Sequence, residues 1–167
     1  MQLLNSDPNS IFLGQSTLYK GNALFGQVKD FPKEKRVECP ISEEWQTGHA
    51  LGMALTGKTV ISMYPRFNFL LLAMGQLCLG IDKIHEISRG KVSPKVILKV
   101  ICGSSYPLFP GKQHVGDYSS ALKLMLEYVE VRNLIYPQDV YPAYEYALNL
   151  NGPIVLVEHS DFYRLEI

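Results

Sequence analysis

A chain of 167 residues has room for one domain with a full core, and folding at that length buries roughly 70% of the surface of the unfolded chain. Lys and Arg total 16 and so do Asp and Glu, so the net charge is zero and nothing in the composition draws the chain to nucleic acid or to an anionic membrane. A hydrophobic share of 47%, with ten Tyr and seven Phe, excludes a mainly disordered chain.

In chain order, residues 11–13 form a short apolar run and predict a first strand. Residues 14–35 hold Gly, Pro, Lys and Gln without periodicity and predict a long loop, the kind that carries function in a compact domain. Residues 37–39 predict a second strand, and Ser42 then N-caps a helix over 43–56 that Gly57 closes. Residues 59–63 predict a third strand. Over 68–84, Leu70, Leu71, Met74, Leu77, Cys78 and Ile81 recur at helical spacing while Leu72, Ala73 and Leu79 fill the other face, which predicts a helix buried nearly all round. Strands follow at 95–101, 129–132 and 154–158, with a second long loop at 103–117 and a helix opened by Pro137 running to about residue 150. Several strands are almost continuously apolar, as strands covered on both faces are, so the expected fold is an α/β doubly wound, mostly parallel open sheet.

Cys39, Cys78 and Cys102 are odd in number and widely spaced, which argues against a disulfide framework or a structural zinc site. His85 and His159 lack a partner at metal-ligand spacing, and no metal site is expected in this chain. The run 67–81 is interrupted by Asn68 and Gln76 and is too short to span a bilayer, and residues 1–15 carry no basic residue before their apolar piece. The expectation is a cytoplasmic protein without signal or span.

The strongest local feature is Cys39-Pro40-Ile41-Ser42-Glu43-Glu44, where a strand ends and a helix begins with two carboxylates in its first turn. Carboxylates there complement the helix dipole. A carboxylate at the C-terminal edge of a parallel sheet also stands where such folds bind ligands.

Pro40-Ile41-Ser42-Glu43, with Gly48 five residues after the Glu and Gly52 four further on, resembles the pyrimidine-binding domain of thiamine-diphosphate enzymes, most of all the beta subunit of the 2-oxo acid dehydrogenase decarboxylase component. Ile11-Phe12-Leu13-Gly14 is similar to that family's first strand, and Arg66-Phe67-Asn68-Phe69 with Gln76 and Lys83 to its second helix. Gln113-His114, Tyr136-Pro137-Gln138-Asp139, and Gly152-Pro153-Ile154-Val155 leading to Glu158-His159 continue the match in order, over residues 10–164.

The resemblance implies that the Glu43 carboxyl bonds the pyrimidine ring nitrogen of the cofactor and favours the imino tautomer, which accepts the thiazolium proton. It implies that His114 contacts substrate or intermediate, where a group titrating near neutrality suits proton transfer, and that Phe69, and less strongly Phe67, walls the aminopyrimidine ring. His49 is expected to be part-buried or at an interface, and the Gly48/Gly52 strip to permit close helix packing.

The family holds the cofactor diphosphate through Mg2+ on a Gly-Asp-Gly motif followed by paired Asn. Gly116-Asp117-Tyr118 is not that motif, and the sequence has no Asn-Asn pair. The expectation is therefore a single pyrimidine-binding domain over 1–167, with neither a diphosphate domain nor a C-terminal domain, that shares thiamine diphosphate with a partner chain holding the Mg2+. That arrangement implies a homodimer within a heterotetramer acting on a small 2-oxo acid or ketose. A subunit of a split decarboxylase and a non-catalytic assembly domain are the alternatives. Gln15 and Gly75 stand where the family has acids, and His114-Val115-Gly116 where it has His-Ser-Gln. These departures bear on the polar network and on the substrate.

Overall fold

The apolar runs pair into one sheet, because a buried strand satisfies its backbone only by lying beside another. The computed structural model describes residues 1–106 and 108–164. Its strands are β1 (Ser10–Gly14), β2 (Arg36–Glu38), β3 (Thr59–Tyr64), β4 (Val96–Cys102), β5 (Glu130–Leu134) and β6 (Ile154–His159). They stand in the order β2-β1-β3-β4-β6-β5, with every neighbouring pair parallel. All six expected strands are present, each with ends within one or two residues of its apolar run.

The α-helices are α1 (Gln2–Ser6), α2 (Ala23–Val28), α3 (Glu43–Leu55), α4 (Phe67–Leu70), α5 (Ile84–Ile87), α6 (Ser119–Met125) and α7 (Val140–Asn149). Leu4 of α1, Leu24 and Val28 of α2, and Ala143, Tyr144 and Ala147 of α7 pack on one face of the sheet against Phe12, Ile61, Ile97 and Leu156. Ala50 and Ala54 of α3, the 67–81 segment and Leu122 of α6 pack on the other, against Leu13, Val60, Leu98 and Val157. All seven residues of β4 are buried, and fully burying an aliphatic side chain contributes about 1.5–3 kcal/mol, so a central strand covered twice reads as an apolar run, interrupted here by Lys99.

Two expectations are corrected. The helix expected over 68–84 is broken: α4 passes into a 3-10 turn at Leu71–Ala73 and then a π-helical turn at Gln76–Ile81 before α5. The pieces Phe67–Ala73 and Gln76–Ile87 meet at 65°. Gly75 and Gly80 weaken the helix there, and the Asp82 N–H bonds to the Leu77 carbonyl at 2.9 Å, one residue beyond the α-helical partner. The segment is not buried all round, since Leu72 is 66% and Leu79 74% exposed. The stretch 14–35 is not all loop either. It contains α2, capped by the Asn22 side chain, which accepts from the Phe25 N–H. Among the described residues no single helix is long and apolar enough to cross a membrane.

Candidate functional site

Four chain segments leave the sheet at its C-terminal edge and carry the candidate residues. Gln15 follows β1, Glu43 follows β2, Phe67 and Phe69 follow β3, and His114 follows β4. The chain runs from β1 outward to β2 and then returns to β3 on the other flank of β1, so the order reverses at β1, and such points bind ligands in open parallel sheets. At the end of β1, Gly14 lies between Glu38 and Met63, and a Cβ there would meet the Met63 carbonyl at 3.1 Å.

The start of α3 is built as its sequence suggests. Ser42 accepts from the Trp45 N–H at 3.4 Å, and Gly57, at φ +87°, closes the other end with its N–H on the Ala54 carbonyl. The underside of the helix is polar. Gln46 donates to the Ser62 hydroxyl and the Met63 carbonyl, each at 3.1 Å, and Thr47 shares a 2.6 Å bond with the Tyr64 hydroxyl. Burial pushes the Tyr64 phenol up to about 12, so it stays a neutral hydrogen-bonding group. This network fixes α3 on β3 and thereby fixes Glu43.

Glu43 is buried, with 7% of its surface exposed, and Gln15 Nε2 donates to its Oε1 at 2.9 Å. The amide that stands in place of an acid thus holds one carboxylate oxygen, and no other hydrogen bond to this carboxylate occurs among the described residues. Glu44, its neighbour, is exposed. Open clefts flank this point. One of about 460 Å³ is lined by Gln15, Ser16, Tyr19, Glu38, Pro40 and Ile41, and one of about 420 Å³ by Ser42, Trp45, Gly48, His49 and Gln76. His49 is part-buried and stacks on Trp45 with centroids 4.5 Å apart. The expected glycine strip divides. A Cβ on Gly48 would approach Gln76 Oε1 at 3.2 Å, whereas Gly52 faces open space.

The structure brings His114 and Phe69 together, edge to face, with centroids 5.7 Å apart. His114 Nδ1 is buried and has no hydrogen-bond partner among the described residues. Phe67 lies elsewhere. It is fully buried with its ring edge-on to Tyr118 at 5.4 Å, a core residue with no face left for a ligand, and this corrects the expectation that it walls the site. Arg66 donates to the Gly103 carbonyl and ties the two segments below the site. Sequence reasoning missed Asn68, which bonds both the Gly116 N–H and the Tyr118 hydroxyl; its one signal is an amide between two Phe at a helix start.

The set offers a near-buried carboxylate with one engaged oxygen, an aromatic ring and an imidazole with an unpartnered nitrogen. Among the described residues no group of three His, Cys, Asp or Glu side chains able to hold a metal ion occurs. The three thiols are free, and burial pushes those of Cys39 and Cys102 up to about 12, which leaves them unreactive.

No family model matches the chain. It is 25% identical over 167 residues to the pyruvate dehydrogenase E1 component subunit beta of Mycoplasma pneumoniae, covering 96% of this chain and 49% of that one. It is 23% identical over 169 residues to the chloroplastic subunit beta-3 of Arabidopsis thaliana, covering 98% and 40%. Among solved structures it is similar to a split gene transketolase in an inactive beta4 tetramer, with TM-score 0.62 and 17% identity over 95% of this chain and 47% of that one. A protein from Mycobacterium smegmatis described as a thiamin diphosphate-dependent enzyme superposes with TM-score 0.65 and 17% identity, over 96% and 29%. The fold is that of the transketolase-like thiamine-diphosphate enzymes, and the chain spans half or less of the length of the curated relatives it matches.

Proposed function

We propose that this chain is the pyrimidine-side subunit of a two-chain thiamine-diphosphate enzyme acting on a small 2-oxo acid or ketose. The observation that carries this reading is Glu43, a carboxylate held almost out of water at the switch point of the sheet with one oxygen fixed by Gln15. When bound, thiamine diphosphate supplies the nucleophilic carbon and the electron sink. Glu43 would hold a proton between its carboxyl and the pyrimidine ring nitrogen and so favour the tautomer that can take up the thiazolium proton. Phe69 would offer its ring to the aminopyrimidine and His114 its imidazole to the substrate. A diphosphate-domain chain would hold the phosphates and Mg2+, in keeping with the lack of a Gly-Asp-Gly motif and an Asn-Asn pair in this sequence. The assembly in view is a homodimer of this chain within a heterotetramer.

Titration calorimetry tests the proposal. The chain alone should bind thiamine diphosphate with Mg2+ weakly or not at all, and tight Mg2+-dependent binding should appear once a diphosphate-domain chain is added. Tight binding to the chain alone would overturn the shared site.

A further inference from the structure

The loop that carries His114 is held at its start by Arg66, which donates to the Gly103 carbonyl, and by the Ser105 N–H, which donates to Asp161 Oδ1 at 3.3 Å. It has one 3-10 turn at Lys112–His114, and within that turn the His114 N–H bonds to the Gly111 carbonyl at 3.0 Å. Its other fixed points lie just beyond. The Gly116 N–H donates to Asn68 Oδ1 at 3.2 Å, Asn68 Nδ2 donates to the Tyr118 hydroxyl at 2.9 Å, and the Gly116 carbonyl accepts from the Cys102 thiol at 3.5 Å. A backbone N–H can only donate, so the amide orientation of Asn68 is determined, and both ends of that side chain are used. Asn68 sits in α4 between Phe67, which packs on Tyr118, and Phe69, which packs on His114. One side chain therefore joins the helix bearing the aromatic wall to the loop bearing the imidazole. The close fit leaves no room for adjustment at Gly116, where a Cβ would fall 2.5 Å from the Tyr118 ring.

We infer that Asn68 is a positioning residue, which acts with Tyr118 to hold the His114 ring against Phe69. The inference deepens the reading of the site given above and rests on it only for the identity of what His114 meets. Holding a reacting group in place is worth much in rate, since a displacement of about 1 Å can cost about 10²-fold.

The test is NMR on the full chain with labelled imidazole and aromatic rings. Wild type should show cross-relaxation between the His114 and Phe69 rings. Asn68→Ala and the milder Tyr118→Phe should lose those cross-peaks and shift the His114 ring nitrogens, while the backbone spectrum of the sheet is unchanged. Asn68→Asp should keep them, because its carboxylate accepts from the Gly116 N–H and from the Tyr118 hydroxyl turned donor. Unchanged His114–Phe69 contacts in Tyr118→Phe, or their loss in Asn68→Asp, would overturn the inference. In the assembled enzyme, Asn68→Ala should slow turnover by about 10²-fold without slowing proton exchange at the thiazolium carbon. If the ring contacts behave as stated but no version turns over a 2-oxo acid or ketose, the positioning role stands and the catalytic reading falls.

Discussion

At the scale of single residues the site turns on two adjacent carboxylates with different surroundings. Glu43 is buried and bonded to Gln15, whereas Glu44 points to solvent. Glu43→Gln should leave folding and assembly intact, because an amide still fits the helix start, yet slow thiazolium proton exchange in the assembled enzyme by about 10²- to 10⁴-fold. Glu44→Gln should exchange like wild type. Exchange followed by NMR in deuterated water decides it, and a Glu43→Gln protein as fast as wild type would reduce the motif to a capped helix. Glu43 was legible because strand end, cap and carboxylate fall within the five residues Cys39 to Glu43. Its bond to Gln15 was not, because the partner lies 28 residues away and only the pairing of β1 with β2 and β3 brings it near.

Among the elements, α3 was legible from its ends, Ser42 and Gly57, although its polar contact with β3 gives it little apolar periodicity. The 67–87 segment misled because apolar spacing reports which residues are oily and not where a helix breaks. Asp82 fixes that break. Its Oδ1 accepts the N–H groups of Glu127, Tyr128 and Val129 at 2.8–3.0 Å and so binds the end of the π-helical turn to the approach of β5. Burial pushes this carboxyl up, but the three backbone donors and Lys83 outweigh burial and hold it below the ordinary 3.8. With the folded value depressed, the stabilisation is complete above 3.8 and is lost as pH falls through the lowered value. Asp82→Ala should cost about 3 kcal/mol in urea unfolding at neutral pH, because three N–H groups lose a charged acceptor. Its deficit against wild type should shrink once the acid range is entered.

Over the whole molecule the α/β class was legible from six apolar runs, yet two of them carry the halves of a buried ion pair. Lys99 of β4 and Glu158 of β6 are both buried and bonded to each other, and Tyr144 and Tyr163 donate to the same carboxylate. Burial alone pulls the Lys99 ammonium down and pushes the Glu158 carboxyl up, and each is the other's compensation. Lys99→Met should destabilise the fold by about 3–5 kcal/mol, and Lys99→Met with Glu158→Leu should recover much of that, measured by denaturation. The exposed Leu72 and Leu79 belong to the same scale. Light scattering at micromolar concentration should find at least a dimer, and Leu72→Glu with Leu79→Glu should weaken self-association or partner association by about tenfold or more. A wild-type monomer unchanged by a diphosphate-domain chain would count against this. The strand order also sets a timetable for synthesis. Since β6 lies between β4 and β5 and is, among the described residues, the only strand that β5 pairs with, residues 130–134 leave the ribosome with no strand to pair with until 154–159 follow. A chain stopped just before β6 should therefore lose two strands at once.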